Sequence, residues 1–440
     1  MNTDEELLTG ALDRAAGRIT AETLRPLAEP ETARPRRRRR AIWNARLAPA
    51  AAAAGVVLVV AVALLVTSGT HHESTPNGTP PPGLAAPPKY YAEVEGKFVR
   101  WHGRDSVEVV VRSTATGAAV ARVPNPAIAG AAKVLPLSVA AGPDGRTFYV
   151  IYANWGRVPG DLWVYRFRIT ASGAATRPAA INGGTISGQD DLGNVGGFVV
   201  SPDGSRLALA VASVHDGSSQ STVAGEILVV DLRTGARATW RGGMERAGQT
   251  FGIVDLSWTG DGKSLAYLGA WCPPDGISYG IYGDFVCSTL GSRQQPPKAE
   301  GRDVVREIHL TPGGGTLNSG RVLRPPSRSS GPLPVLVDPD GRELITMVKS
   351  SAGPYAFEVV KTSIATGRVV SVLGSVSPVH PLFGGEYLAV DRTGDYVLVW
   401  TAGNATNGLP LHGWVHGGSY HQLAPAFPPS YPGGLYQMTW

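Results

Sequence analysis

One unit recurs through residues 89–440 and limits what this chain can fold into: an apolar strand, a tight turn and a second strand. It occurs as AAGPDGRTFYVIY (140–152), VVSPDGSRLALAVA (199–212), LSWTGDGKSLAYLG (256–269), LVDPDGRELITMV (336–348) and AVDRTGDYVLVW (389–400). The turns are Asp-Gly or Gly-Asp, residues that accept the positive φ a hairpin needs. The flanks alternate apolar with polar and are rich in Val, Leu and Tyr, as strands require. A second hairpin follows each first one: 164–178, 227–240, 306–320, 358–372 and 412–423. Each unit is therefore predicted to be a four-stranded antiparallel meander. Such sheets, repeated radially, close into a propeller and protect their edges.

The two hairpin types differ in number. EVVVRSTATGAAVARV (108–123) stands first and has no inner strand before it. The chain ends in LYQMTW (435–440), which matches IVDLSW (253–258), the inner strand just before its turn. The C-terminal strand is thus expected to complete the N-terminal blade and give six blades. An open ring would leave an unpaired strand edge.

With these turns, residues 135–440 resemble the WD40-like, TolB-type six-bladed propellers, though the GH…WD pairs of true WD40 repeats are absent. The whole chain resembles single-pass bacterial membrane proteins that carry a short N-terminal helix, an Arg run and a propeller ectodomain. The resemblance implies an all-β, six-bladed β-propeller of four-stranded antiparallel blades. The turn signatures specify fold and leave function open.

Residues 47–66, LAPAAAAAGVVLVVAVALLV, are uncharged. As a helix they would span about 30 Å, a bilayer core. Arg34, Arg36 to Arg40 and Arg46 precede them, and Lys and Arg are absent from the next twenty residues. The positive-inside rule then places the N-terminus in the cytoplasm and the C-terminal propeller outside it. The expected organisation is a cytoplasmic tail (1–46), a single transmembrane helix (47–67), a Pro-rich linker (68–88) and the propeller (89–440). A cleaved signal peptide fits poorly, because the leader is long and starts acidic. A buried core helix fits poorly with the Arg cluster and Pro-rich exit. His71 and His72, on the linker, read as solvated residues. Leu8, Leu12, Ala15 and Ile19 form one stripe in the tail, with acidic residues in the first turn, which predicts an amphipathic helix.

The formal charge of +5 suggests nucleic acid, but its distribution does not. Residues 1–46 hold ten Arg against seven Asp and Glu. The rest of the chain is nearly neutral and offers no basic stripe for phosphates.

In a meander, the Asp-Gly and Thr-Gly turns share one face and the long connections the other: 154–160, 181–197, 213–225, 270–303 and 403–410. Long loops on a rigid scaffold are where binding usually resides. The candidate binding residues are Trp155, Arg157, Asp190, Asp191, His215, Asp216, Trp271 and Tyr279. Asp190 and Asp191 have oxygens suited to Ca²⁺, but their loop is mostly Gly. His412, His416 and His421 read as histidines on a sheet surface, with zinc as the alternative. GISYG (276–280) matches G-x-S-x-G, yet lies among Pro and Gly rather than at a strand-to-helix elbow. No metal, cofactor or catalytic residue is assigned, and the chain is expected not to be an enzyme. Cys272 and Cys287 are the only cysteines, and on the extracytoplasmic side they are expected to form a disulfide.

Two functions lead, with a propeller-type hydrolase as a third and weaker alternative. One is a membrane-tethered binding module that takes a protein, peptide or glycan on the loop face. The other is a transmembrane, anti-sigma-like regulator whose tail (residues 1–30) binds a cytoplasmic protein. The Cys/His zinc signature of one such class is absent.

Overall fold

A computed structural model describes residues 86–97, 106–131, 133–154, 160–189, 195–215, 222–242, 250–272, 277–279, 285–287, 303–327, 335–353, 356–376, 386–401, 411–423 and 438–440. Among these residues there is no α-helix, and no helix long and apolar enough to cross a membrane. The expected tail helix and span lie outside the described residues.

The strands form six antiparallel blades. Blade 1 holds β1 (Tyr90–Lys97), β2 (Ser106–Ser113) and β3 (Ala119–Val123). Blade 2 holds β4 (Val134–Ala141), β5 (Thr147–Asn154), β6 (Gly160–Arg168) and β7 (Ala179–Gln189). Blade 3 holds β8 (Val195–Val200), β9 (Arg206–His215), β10 (Thr222–Asp231) and β11 (Arg237–Arg241). Blade 4 is built on β12 (Thr250–Trp258) and β13 (Ser264–Cys272). A hairpin of β14 (Ile277–Tyr279) and β15 (Phe285–Cys287) is inserted before its third strand, β16 (Asp303–His309). The short β17 (Gly315–Thr316) then precedes its outer strand, β18 (Arg321–Ser327). Blade 5 holds β19 (Val335–Val337), β20 (Glu343–Lys349), β21 (Phe357–Ser363) and β22 (Val369–Val376). Blade 6 holds β23 (Glu386–Val390), β24 (Val397–Thr401), β25 (Leu411–His416) and β26 (Ser419–Gln422).

The last strand, β27 (Met438–Thr439), pairs with β1 as the inner strand of blade 1, with Ala92 opposite Thr439 and Glu93 opposite Met438. The expected ring closure is therefore present. Each inner strand packs on the next in the order β27, β4, β8, β12, β19, β23 and back to β27. The apolar cores lie between blades: Val94, Val109 and Val111 of blade 1 meet Phe148, Val150 and Phe167 of blade 2.

The Asp-Gly turns carry out the local chemistry read from the sequence. Gly145 and Gly204 hold φ of 62° and 72°. Asp144 Oδ1 accepts from the backbone N–H of Arg146 (3.0 Å) and Thr147 (2.7 Å). Asp203 accepts from the Ser205 N–H (3.0 Å) and the Ser201 hydroxyl (2.6 Å).

One stretch differs from expectation. Residues 181–197 read as a long loop, but 181–189 belong to β7 and 195–197 open β8, leaving only 190–194 as connection. Its glycines suggested a loop, whereas an outer strand tolerates them: Arg237 of blade 3 reaches over and donates to the carbonyl of Gly183 at 2.8 Å.

Candidate functional site on the loop face

The meander order sends the connections between first and second strands, and between third and fourth, to one end of the ring. We call this the turn face. The other end, the loop face, receives the remaining connections. The turn-face aspartates Asp144, Asp203, Asp231 and Asp261 accept from backbone N–H groups of their own turns, while Asp338 also pairs with Lys361. Burial works against ionisation of Asp203, but the Ser201 hydroxyl and the Ser205 N–H outweigh it and hold the carboxyl at about 2. Such turns are closed, pre-satisfied structures that offer few free groups to a ligand.

The loop face is built differently. Its largest connection, 273–302, leaves blade 4 and contains the β14–β15 hairpin, with β15 packed against β12 and β13. Residues 98–105 join β1 to β2, 402–410 join β24 to β25, and 424–437 lie between β26 and β27.

Of the sequence-predicted residues, Trp155, Arg157, Asp190, Asp191 and Asp216 lie outside the described residues. His215 ends β9 opposite Thr222, and Trp271 stands near the end of β13 opposite Phe251. Both positions are at the loop-face end of second strands in adjacent blades. Tyr279 ends β14 opposite Phe285. Ser278 sits mid-strand in β14, opposite Val286. Cys272 and Cys287 close β13 and β15, two strands that pack together.

The histidines require a correction. His412 is not on a sheet surface: it is 2% exposed, between blades 6 and 1. Its ring meets Tyr91 edge-on at 5.2 Å, and its Nε2 lies 3.6 Å from a Glu93 carboxylate oxygen, too far for a hydrogen bond. His416 stacks on Tyr396 and His421 on Trp414. Each ring thus has its own aromatic partner. Among the described residues no group of three or more His, Cys, Asp and Glu is placed to hold a metal.

The same seam contains a cluster that the sequence reading missed. Glu93, Glu95 and Arg112 are all buried. The Arg112 guanidinium donates to both carboxylates, with 3.0 Å from Nε to Glu95, and its Nη1 donates to the Gly117 carbonyl at 2.9 Å. Burial pushes the Glu93 carboxyl well above the usual range, Glu95 beside it adds to the rise, and Arg112 opposes it. Burial, then Arg112, drives His412 down to about 3, so its imidazole is neutral. The signal was present: Tyr91, Glu93 and Glu95 alternate with Ala92 and Val94 at the period of a strand.

A second missed acid is Asp255, in the inner strand of blade 4 where the β12–β13 register shifts. Burial pushes its carboxyl up to about 8, against the Leu256 N–H that it accepts at 2.8 Å.

No family model matches the chain, and no curated protein matches it. Solved structures do. TolB from Acinetobacter baumannii is 16% identical over 76% of this chain and 65% of its own, with a TM-score of 0.40. A putative TolB from Agrobacterium tumefaciens is 13% identical, over 80% and 97%, with a TM-score of 0.39. The periplasmic gluconolactonase of Pseudomonas aeruginosa is 16% identical, over 76% and 99%, with a TM-score of 0.34. The chain spans slightly less than two thirds of the first of these. These likenesses concern fold. The lactonase overturns the expectation that the chain is not an enzyme, because that expectation took a propeller without a recognisable catalytic motif to be a binder. Fold-mates of this architecture include enzymes, so fold and missing motifs do not separate the two. The chain is a six-bladed β-propeller with TolB-like structural neighbours.

Proposed function

We propose that this chain is a membrane-tethered, extracytoplasmic propeller that binds a protein, peptide or glycan through its loop face. The observation that carries the reading is the contrast between the two faces. One consists mostly of short turns, several of whose aspartates accept from their own backbones, with longer connections only at 169–178 and 310–320. The other receives the long connections, including the inserted hairpin of blade 4. A rigid ring that carries its longest connection on one side is suited to recognition there. The tether rests on the uncharged stretch 47–67 and the arginines before it.

Protease added to intact cells tests tether and orientation together. The proposal expects loss of the propeller with the tail spared; protection of residues 89–440 contradicts it. The regulator reading rests on the amphipathic stripe Leu8, Leu12, Ala15 and Ile19. Residues 1–46 and 89–440, used separately as baits, distinguish the two, since only a regulator needs a specific cytoplasmic partner for the tail.

A further inference from the structure

The six seams between neighbouring blades are not built alike. Among the described residues, fourteen buried apolar side chains close the seam of blades 1 and 2, and eleven close that of blades 5 and 6. Six close the seam of blades 6 and 1: Tyr91 and Trp440 from blade 1, and Tyr396, Leu398, Trp400 and Leu423 from blade 6. Blades 4 and 5 share seven, but there Ser257 Oγ crosses the seam, accepting from the Val337 N–H (3.1 Å) and donating to its carbonyl (3.2 Å). The polar groups of the seam between blades 6 and 1 add to the difference. The bonds of Arg112 to Glu93, Glu95 and the Gly117 carbonyl all lie within blade 1, so they survive if blade 6 moves away. Beside them, Tyr91 Oη and both ring nitrogens of His412 are buried without a hydrogen-bond partner. A polar atom buried in this way carries a desolvation cost that contact with water returns.

We infer that the ring opens along the seam of blades 6 and 1, bringing Tyr91, Glu93 and His412 into contact with water while the other five seams stay closed. Closing this seam gathers the fewest buried apolar side chains and orphans three polar atoms. Its inner edge is held by the bond from Trp440 Nε1 to the Ala389 carbonyl, so the outer strands part first. The opening is a property of the ring itself and rests neither on the tether nor on the loop-face reading. Locally weak contacts of this kind open below the cost of global unfolding.

Two pairs of adjacent, fully buried positions test this. In β24, Leu398 faces the seam with blade 1, and Val399 packs into the core shared with blade 5. In β2, Val110 lies opposite Glu93 and shares its face, while Val109 packs into the core shared with blade 2. The full chain carries Leu398→Cys, Val399→Cys, Val110→Cys or Val109→Cys singly, and a thiol probe measures labelling without denaturant. The unsubstituted chain, labelled in parallel, gives the background from Cys272 and Cys287. Urea melts give the global stability of each variant, and the rates are compared after correction for it. Labelling at least tenfold faster at 398 and 110 than at 399 and 109 is expected. His412→Phe keeps a ring against Tyr91 and removes both orphaned nitrogens, so it should slow labelling at 398 at least threefold. Equal corrected rates within both pairs overturn the inference, and so does unchanged labelling at 398 in the His412→Phe chain.

Discussion

The indole Nε1 of Trp440 donates to the carbonyl of Ala389 at 2.9 Å, across the seam from blade 1 to blade 6. Trp258 does the same one half-turn away, donating to Val199 of blade 3 at 3.3 Å. The residue before each tryptophan bonds in the opposite direction. Thr439 Oγ1 accepts from the Ala141 N–H of blade 2 at 3.1 Å, and Ser257 Oγ accepts from the Val337 N–H of blade 5 at 3.1 Å. A hydroxyl reaching forward and an indole reaching back tie each of these inner strands to both neighbours. This is the physical content of the match between LYQMTW and IVDLSW.

Trp440→Ala should therefore destabilise the ring by about 3–5 kcal/mol, as expected for a buried tryptophan, and Trp258→Ala by a similar amount. Urea denaturation of residues 89–440 measures both. A Trp440→Ala variant that unfolds at the parental midpoint would show that the closing strand contributes nothing.

The Arg112 cluster predicts an asymmetry. Arg112→Leu leaves two carboxylates buried without their cation and should cost about 3–5 kcal/mol. Glu93→Gln keeps the shape, removes a carboxyl that burial pushes towards its neutral form, and leaves Arg112 paired with Glu95, so it should cost less. Thermal melts at pH 7 compare the two, and equal losses would mean that Glu93 is ionised in the fold.

His412 gives a pH dependence with a definite sign. Its folded pKa, about 3, lies below the ordinary histidine value, so the unfolded chain binds the extra proton first. Its contribution is complete above about pH 6.5 and is lost as the pH falls towards 3, with a limiting slope of about 1.4 kcal/mol per pH unit. Asp255 acts in the opposite direction: its folded pKa of about 8 is raised, so stability is lost as the pH rises from the ordinary carboxylate range towards 8. His412→Gln should flatten the acid limb of a stability profile, and Asp255→Asn the limb between pH 4 and 8. Unchanged limbs would mean that neither group changes its proton affinity on folding.

Cys272 and Cys287 end two strands that pack together, on the side proposed to be extracytoplasmic. A bridge there would close a loop of about 15 residues, worth about 3 kcal/mol in the chain-entropy picture. Mass spectrometry of unreduced peptides should recover the linked pair; labelling of both thiols without reduction would exclude it.

Much of the fold was legible because turn chemistry is local. Asp144-Gly145 and Asp203-Gly204 announce their hairpins within four residues, and Trp440 could be placed because its segment repeats another. What escaped notice depends on distance. Glu93 and Arg112 are nineteen positions apart, and His412 joins them only when blade 6 closes on blade 1. Its spacing from His416 suggested a surface pair, since burial by another blade leaves no local mark. The candidate loop residues share that difficulty, as they come in pairs from four different connections.

The central claim, recognition through the loop face, is tested most directly by partner capture with three forms of the propeller. These are the parent 89–440, a form with 273–302 replaced by a short Gly-Ser turn, and a form carrying Arg233→Ala and Arg342→Ala on the turn face. Circular dichroism and melting establish that each is folded. The account predicts that a partner crosslinked to the parent is lost at least tenfold on replacing 273–302 and retained by the turn-face variant. Undiminished capture without 273–302, together with loss in the turn-face variant, would contradict it.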